Sequence, residues 1–190
     1  MTEKSYAVVL DQFRSTDAGR FSQKLQCVFA ECHRVLKDDG LLVFTYHHSR
    51  DEGWTSLAES ILGAGFAVVN SQPVKAEMSV ATPKFQAKEP IQLDIILVCR
   101  KQMSITPRQR ETIPHAIDAA NAKLARLEAA GFSLSRNDRK IVLYGQLLTI
   151  ISDPSDTAAF ASLVEAELDS LRAEPPASRG ESQQMLLFLP

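Results

Sequence analysis

The stretch from Glu31 to Lys101 constrains the fold more than any other part of the chain. A helix leads into it, because Phe21, Leu25, Val28, Phe29, Cys32, Val35 and Leu36 recur at helical spacing. Lys37-Asp38-Asp39-Gly40 closes that helix, with Gly40 supplying a turn or left-handed conformation at little cost. The short apolar run Leu41 to Tyr46 follows, bounded by polar residues, which predicts a strand buried on both faces, as in a parallel sheet. Asp51 or Gly53 opens a second helix with Trp54, Leu57, Ile61 and Leu62 inward, and Gly63 and Gly65 end it. Phe66 to Val74 reads as a strand, Lys75 to Pro90 as a long polar loop, and Ile91 to Arg100 as a strongly apolar strand. Two strands joined without a helix pair antiparallel, so this series of helices and strands ends in a hairpin.

The remainder reads as helical. Pro107 to Ala130 carries Ile113, Ile117, Ala120, Leu124 and Leu127 on one face, and Gly131 stops it. Ser135 is a plausible N-cap for a helix from Asp138 to Ile151, and Asp153-Pro154 breaks the chain before a third amphipathic helix, Asp156 to Ala173. Glu174 to Ser182 has the composition of a flexible linker. The expected organisation is therefore 1–103, a helical region 104–173 and a tail 174–190. Met1 to Arg20 is harder to read, although Tyr6 to Leu10 has strand character.

Composition narrows the function classes. A 45% hydrophobic content is that of a globular protein, and no apolar run approaches the ~20 residues of a membrane span, so the expectation is a cytoplasmic protein without membrane association. Cys27, Cys32 and Cys99 have no paired spacing and imply no disulfide framework. A net charge of −2 gives no basic excess for holding DNA unaided. His33 and His115 are isolated in sequence and complete no metal-ligand set.

The succession from Glu31 to Lys101 resembles the C-terminal half of a class I S-adenosylmethionine-dependent methyltransferase. The wording of Glu77 to Lys101 is similar to that of bacterial adenine-specific DNA methylases of the Zn-ribbon-containing type. The likeness covers Phe21 to Lys101 and extends more loosely through Leu148. It implies an α/β fold: a partial Rossmann-like methyltransferase sheet, made of terminal strands including the antiparallel hairpin, with an all-helical C-terminal region. It also implies S-adenosylmethionine as cofactor and DNA as substrate of the complete enzyme. Yet the family's Asp-Pro-Pro-Tyr loop has no counterpart here, and Gly63-Ala64-Gly65 lies between a helix and a strand, the wrong order for a cofactor loop. No catalytic residue is assigned, and the isolated chain is expected to bind no cofactor and to be inactive.

Tyr46, His47 and His48 end the first strong strand. They are either a polar strand end facing water or, as the resemblance implies, neighbours of the substrate and cofactor pocket. In the loop, Lys75, Glu77, Met78, Lys84, Phe85 and Lys88 are either solvated or, as the resemblance implies, a wall on the DNA and target-base side, with Phe85 to stack and Lys84 and Lys88 to meet phosphates. Arg136 to Arg139 read as a capped, charged first turn before they read as a DNA contact, and Gln146 as a plain polar helix position. At the end, Gln184, Met185, Leu187 and Phe188 resemble the bacterial sliding-clamp-binding peptide; packing back on the protein is the other reading of this apolar hook.

Two functions compete at this stage. One is a fragment or subunit of a DNA adenine methyltransferase, completed by a complementary methyltransferase half. The other is a non-catalytic interaction module of a defence or replication-linked complex, tethered to a sliding clamp by its tail. In the first, the Leu41 to Tyr46 strand lacks its neighbour. That empty edge is filled by Tyr6 to Leu10, by a partner half or by self-association.

Overall fold

The computed structural model describes residues 18–76, 91–104, 112–153 and 156–173. Within them the protein is mixed α/β, with five α-helices and a three-stranded sheet. In chain order these are α1 (Ala18–Val35), β1 (Leu42–Tyr46), α2 (Asp51–Gly63), β2 (Phe66–Lys75), β3 (Leu93–Lys101), a 3-10 turn (Gln102–Ser104), α3 (Ile113–Ala129), α4 (Arg136–Leu147) and α5 (Thr157–Ala173).

The expected hairpin is present: β2 pairs antiparallel with β3, from Phe66 opposite Lys101 to Lys75 opposite Leu93. β3 is the central strand of the order β1-β3-β2 and also pairs antiparallel with β1, Leu42 opposite Cys99 and Tyr46 opposite Ile95. β1 and β2 therefore point the same way, linked over the sheet by α2, with the last strand inserted between them. A bulge between Val68 and Asn70 adds one residue to β2, so that Phe66 and Val68 on one side of it and Ser71 and Pro73 on the other all face inward. Pro73 is tolerated because β2 is an edge strand.

One sheet face is buried. Leu93, Ile95, Leu97 and Cys99 of β3 are completely covered. Three helices pack on that side. Phe29 of α1 meets Phe44 at 5.2 Å between ring centroids, His33 meets Phe66 edge-on, and Trp54 of α2 meets Tyr46 edge-on at 5.1 Å. Gly145 brings α4 so close that an added Cβ would lie 2.8 Å from Ile95 Cγ1. Ser22 of α1 and Ser60 of α2 let those two helices approach, Ser60 Oγ donating to Ser22 O at 2.9 Å. Gly65 turns the chain from α2 into β2 at φ 81°, a conformation that favours glycine.

α4 is buried almost all round, from Ile141 to Leu148, as befits a helix between the sheet and an outer layer. α3 covers it with Ala116, Ala120 and Leu124, and α5 with Phe160, Val164 and Leu168, each set at helical spacing. Sheet and C-terminal helices thus share one apolar cluster.

The two-sided burial expected for the first strand does not occur. β1 alternates half-buried and exposed residues, and Val43 is 53% exposed. Its apolar run reads like a central parallel strand, but the described helices all lie on one side, leaving Val43, Thr45, Ile96, Val98, Ala67 and Val74 partly open on the other. β1 is also an edge strand among the described residues, and Tyr6 to Leu10 lie outside them. No described helix is long and apolar enough to cross a membrane.

Candidate functional site

The carboxyl end of β1 leads into α2 through His47, His48, Ser49 and Arg50. Tyr46, His47 and His48 follow the strand alternation, so they diverge. Tyr46 turns inward: its hydroxyl donates to Gly53 O at 2.9 Å, and burial raises its pKa well above the ordinary phenol value. His48 also turns inward, its ring 6.4 Å from that of Tyr46 and nearly parallel to it. The Arg50 N–H donates to His48 Nδ1 at 3.0 Å, and Trp54 Nε1 donates to His48 O at 3.0 Å. Gly53 is required for this fit, since a Cβ there would collide with the His48 imidazole. His47 turns the other way, to the open sheet face, where Nδ1 lies 2.6 Å from Asp94 Oδ1 on β3.

Behind Tyr46 the packing continues. Trp54, 1% exposed, lies between the edge-on Tyr46 ring and the stacked ring of Tyr144 on α4, 5.0 Å away and 3° from parallel. Tyr144 Oη donates to Asp51 Oδ1 at 2.8 Å; burial first, then the Asp51 bond, hold its proton far above the ordinary phenol range. Lys140 Nζ bridges Asp51 Oδ1 and Glu165 Oε1, each at 2.9 Å. Burial pulls the Lys140 pKa down, but the two carboxylates together outweigh it and leave the pKa raised. Arg136 binds Glu165 at 2.5 Å and Asp169 at 3.2 Å. Lys140, then Arg136, hold the Glu165 carboxyl below the usual range.

This network locks α2, α4 and α5 together, and no local pattern marks it. Tyr144, Lys140 and Glu165 are ordinary helix residues until the fold brings them to Asp51, 93 positions from Tyr144 in sequence. The first turn of α4 is a capping box, as its charges suggested: Ser135 Oγ accepts from the Asp138 N–H at 3.1 Å, and Asp138 Oδ2 accepts from the Ser135 N–H at 3.0 Å. Arg136 and Arg139 are engaged within the protein, Arg139 with Glu128. Gln146 is buried and donates to Ser71 Oγ, so it is not a plain surface position.

Of the other candidates, Lys75 is an exposed residue at the end of β2. Glu77, Met78, Lys84, Phe85 and Lys88 lie outside the described residues, as do Gln184, Met185, Leu187 and Phe188. Gly63 and Gly65 stand where α2 ends, against Gln26 and His33. Among the described residues no group of three or more His, Cys, Asp or Glu side chains is placed to hold a metal. Burial pushes the Cys99 thiol up to about 12, which keeps it protonated and unreactive at neutral pH.

The second notable surface lies on the flank of α1 that faces away from α2. Ser22, Gln26 and His33 face α2 and β2, through Ser60, Gly63 and Phe66. Val28 and Val35 take the opposite flank, 58% and 64% exposed, and Leu41, just before β1, is 46% exposed. No protein-family model, no curated protein and no solved structure matches this chain.

Proposed function

We propose that this chain is a subunit or C-terminal part of an S-adenosylmethionine-dependent DNA adenine methyltransferase, its strands being the terminal strands of a Rossmann-like sheet. The reading rests on the resemblance of Glu31 to Lys101 and on one observation that supports it. Among the described residues β1 is an edge strand, and Val28 and Val35 of α1, Leu41 and Val43 are exposed. A strand added beyond β1, with helices on both sheet faces, would cover them. The second sheet face, with Ile96 and Val98 partly open, is likewise suited to helices that another polypeptide brings.

The sequence has no counterpart of the family's glycine-rich turn or catalytic loop, so on this reading both come from the complementary half. This chain would contribute completion of the sheet and a stiff end to β1. Tyr46 and His48 hold the turn into α2 and leave His47 the outward-facing member of the three. Lys75 opens the loop that would lie on the DNA side.

Calorimetric titration with S-adenosylmethionine tests this, first on the chain alone and then on its mixture with the product of an upstream reading frame. The expected result is no binding alone, and binding with methyl transfer to adenine in the mixture. Binding by the isolated chain would overturn the division of labour, and silence in the mixture would overturn the methyltransferase reading.

A further inference from the structure

The helix α3 carries cations to the β2 side of the molecule. Lys123 reaches the strand itself, where Nζ donates to Ser71 O and lies 3.4 Å from Gln72 Oε1. An ammonium has three N–H groups, so one is left over. Arg126 follows one turn later on the same helix face and is exposed. The ion pair of Arg139 with Glu128 sets the end of α3 beside the start of α4, and Asp138 fastens that start to Gln92 and Leu93. Leu93 lies opposite Lys75 in the sheet. From Lys123, therefore, α3 runs toward the Lys75 end of β2 and takes Arg126 that way. By strand alternation Lys75 belongs to the helix-bearing face with Ser71 and Pro73, and it is exposed.

No carboxylate among the described residues is paired with any of the three. Of the two acids of α3, Glu128 is held by Arg139, and Asp118 lies more than a turn before Lys123. The helix neighbours of the pair, Ala119, Ala122, Leu127 and Ala130, are uncharged. Burial, then the Arg126 charge, pull the Lys123 pKa down. Lys140 and Arg136 find a counter-charge in Glu165; these cations have none.

We propose that Lys123, Arg126 and Lys75 form a contact for the phosphodiester backbone of DNA. Cations set out in a row, rather than converging on one point, fit a chain of regularly spaced phosphates and not a single phosphate group. Asn70 and Gln72, exposed on β2, are polar where a membrane contact would want apolar side chains. The choice of DNA rests on the methyltransferase reading. A net charge of −2 makes this an auxiliary grip and not a complete binding site.

Fluorescence anisotropy of a labelled DNA duplex, titrated with the full chain at low salt, tests the contact. Binding should weaken as salt is added, with a log–log slope of about 2 to 3, since each phosphate contacted contributes about 0.9. Arg126→Gln and Lys75→Gln change exposed side chains, so the far-ultraviolet circular dichroism spectrum should not move. Each should lower the affinity about threefold or more and reduce the slope by about 1. No binding at low salt, binding that neither variant weakens, or tighter binding to phosphatidylserine vesicles than to the duplex would overturn the proposal. Any of these alongside methyl transfer in the mixture with a complementary half leaves the methyltransferase reading in place. Variant-sensitive binding without methyl transfer in that mixture would overturn that reading and keep the contact.

Discussion

Asp138 is completely buried, and both of its oxygens are used. Oδ1 accepts from the N–H groups of Gln92 at 2.7 Å and Leu93 at 3.0 Å, and Oδ2 from the Ser135 N–H at 3.0 Å and the Ser135 hydroxyl at 2.8 Å. One carboxylate thereby fastens the start of β3 to the start of α4. Asp138→Ala would leave buried N–H groups unsatisfied as well as removing half of a capping box, and should cost roughly 3 kcal/mol or more in urea unfolding. Asp138→Asn keeps one carbonyl oxygen and should cost clearly less. Ser135 as a cap was legible in the sequence, since a capping residue and its acidic partner sit three apart. The reach to Gln92 and Leu93 was not, because nothing local marks a side chain 45 positions away as the acceptor for a strand.

At the scale of elements, periodicity located the five described helices, and the hairpin expected of two strands without a helical signal between them is matched by the antiparallel pairing of β2 with β3. It misjudged β1, because an apolar run reports the character of the residues and not how many layers cover them. It was also silent on the ionic chain from Asp51 through Lys140 and Glu165 to Arg136, which joins three helices. That chain makes a pH prediction with a definite sign. The Glu165 pKa is lowered in the folded state from its ordinary 4.5, so its contribution is fully present above that value and is lost as pH falls through the lowered one. The melting temperature should therefore drop as pH goes below about 4.5, and Glu165→Gln should flatten that drop while lowering the melting temperature at neutral pH. An unchanged acid profile in the variant would assign the acid sensitivity to other carboxylates.

For the molecule as a whole, the question is whether the sheet and the C-terminal helices are separate folding units. The pattern of elements suggested a boundary near residue 104, but the packing crosses it. Ile95 lies against Gly145, Ser71 against Gln146, Lys123 Nζ donates to Ser71 O, and Trp54 stacks on Tyr144. Removing α3 to α5 would uncover Leu93, Ile95 and Leu97, which are now fully buried, on a three-stranded sheet whose other face is already partly open. Such a sheet has no second layer left to bury its core residues, apart from α1 and α2 at one side. The full chain should unfold in one transition, with Trp54 fluorescence, which reports the contact between α2 and α4, coinciding with far-ultraviolet circular dichroism. A chain cut after Ser104 should lose the cooperative transition. Two separated transitions, with the fluorescence change confined to one, would instead mean that the stacked pair is a docking contact between units that fold independently.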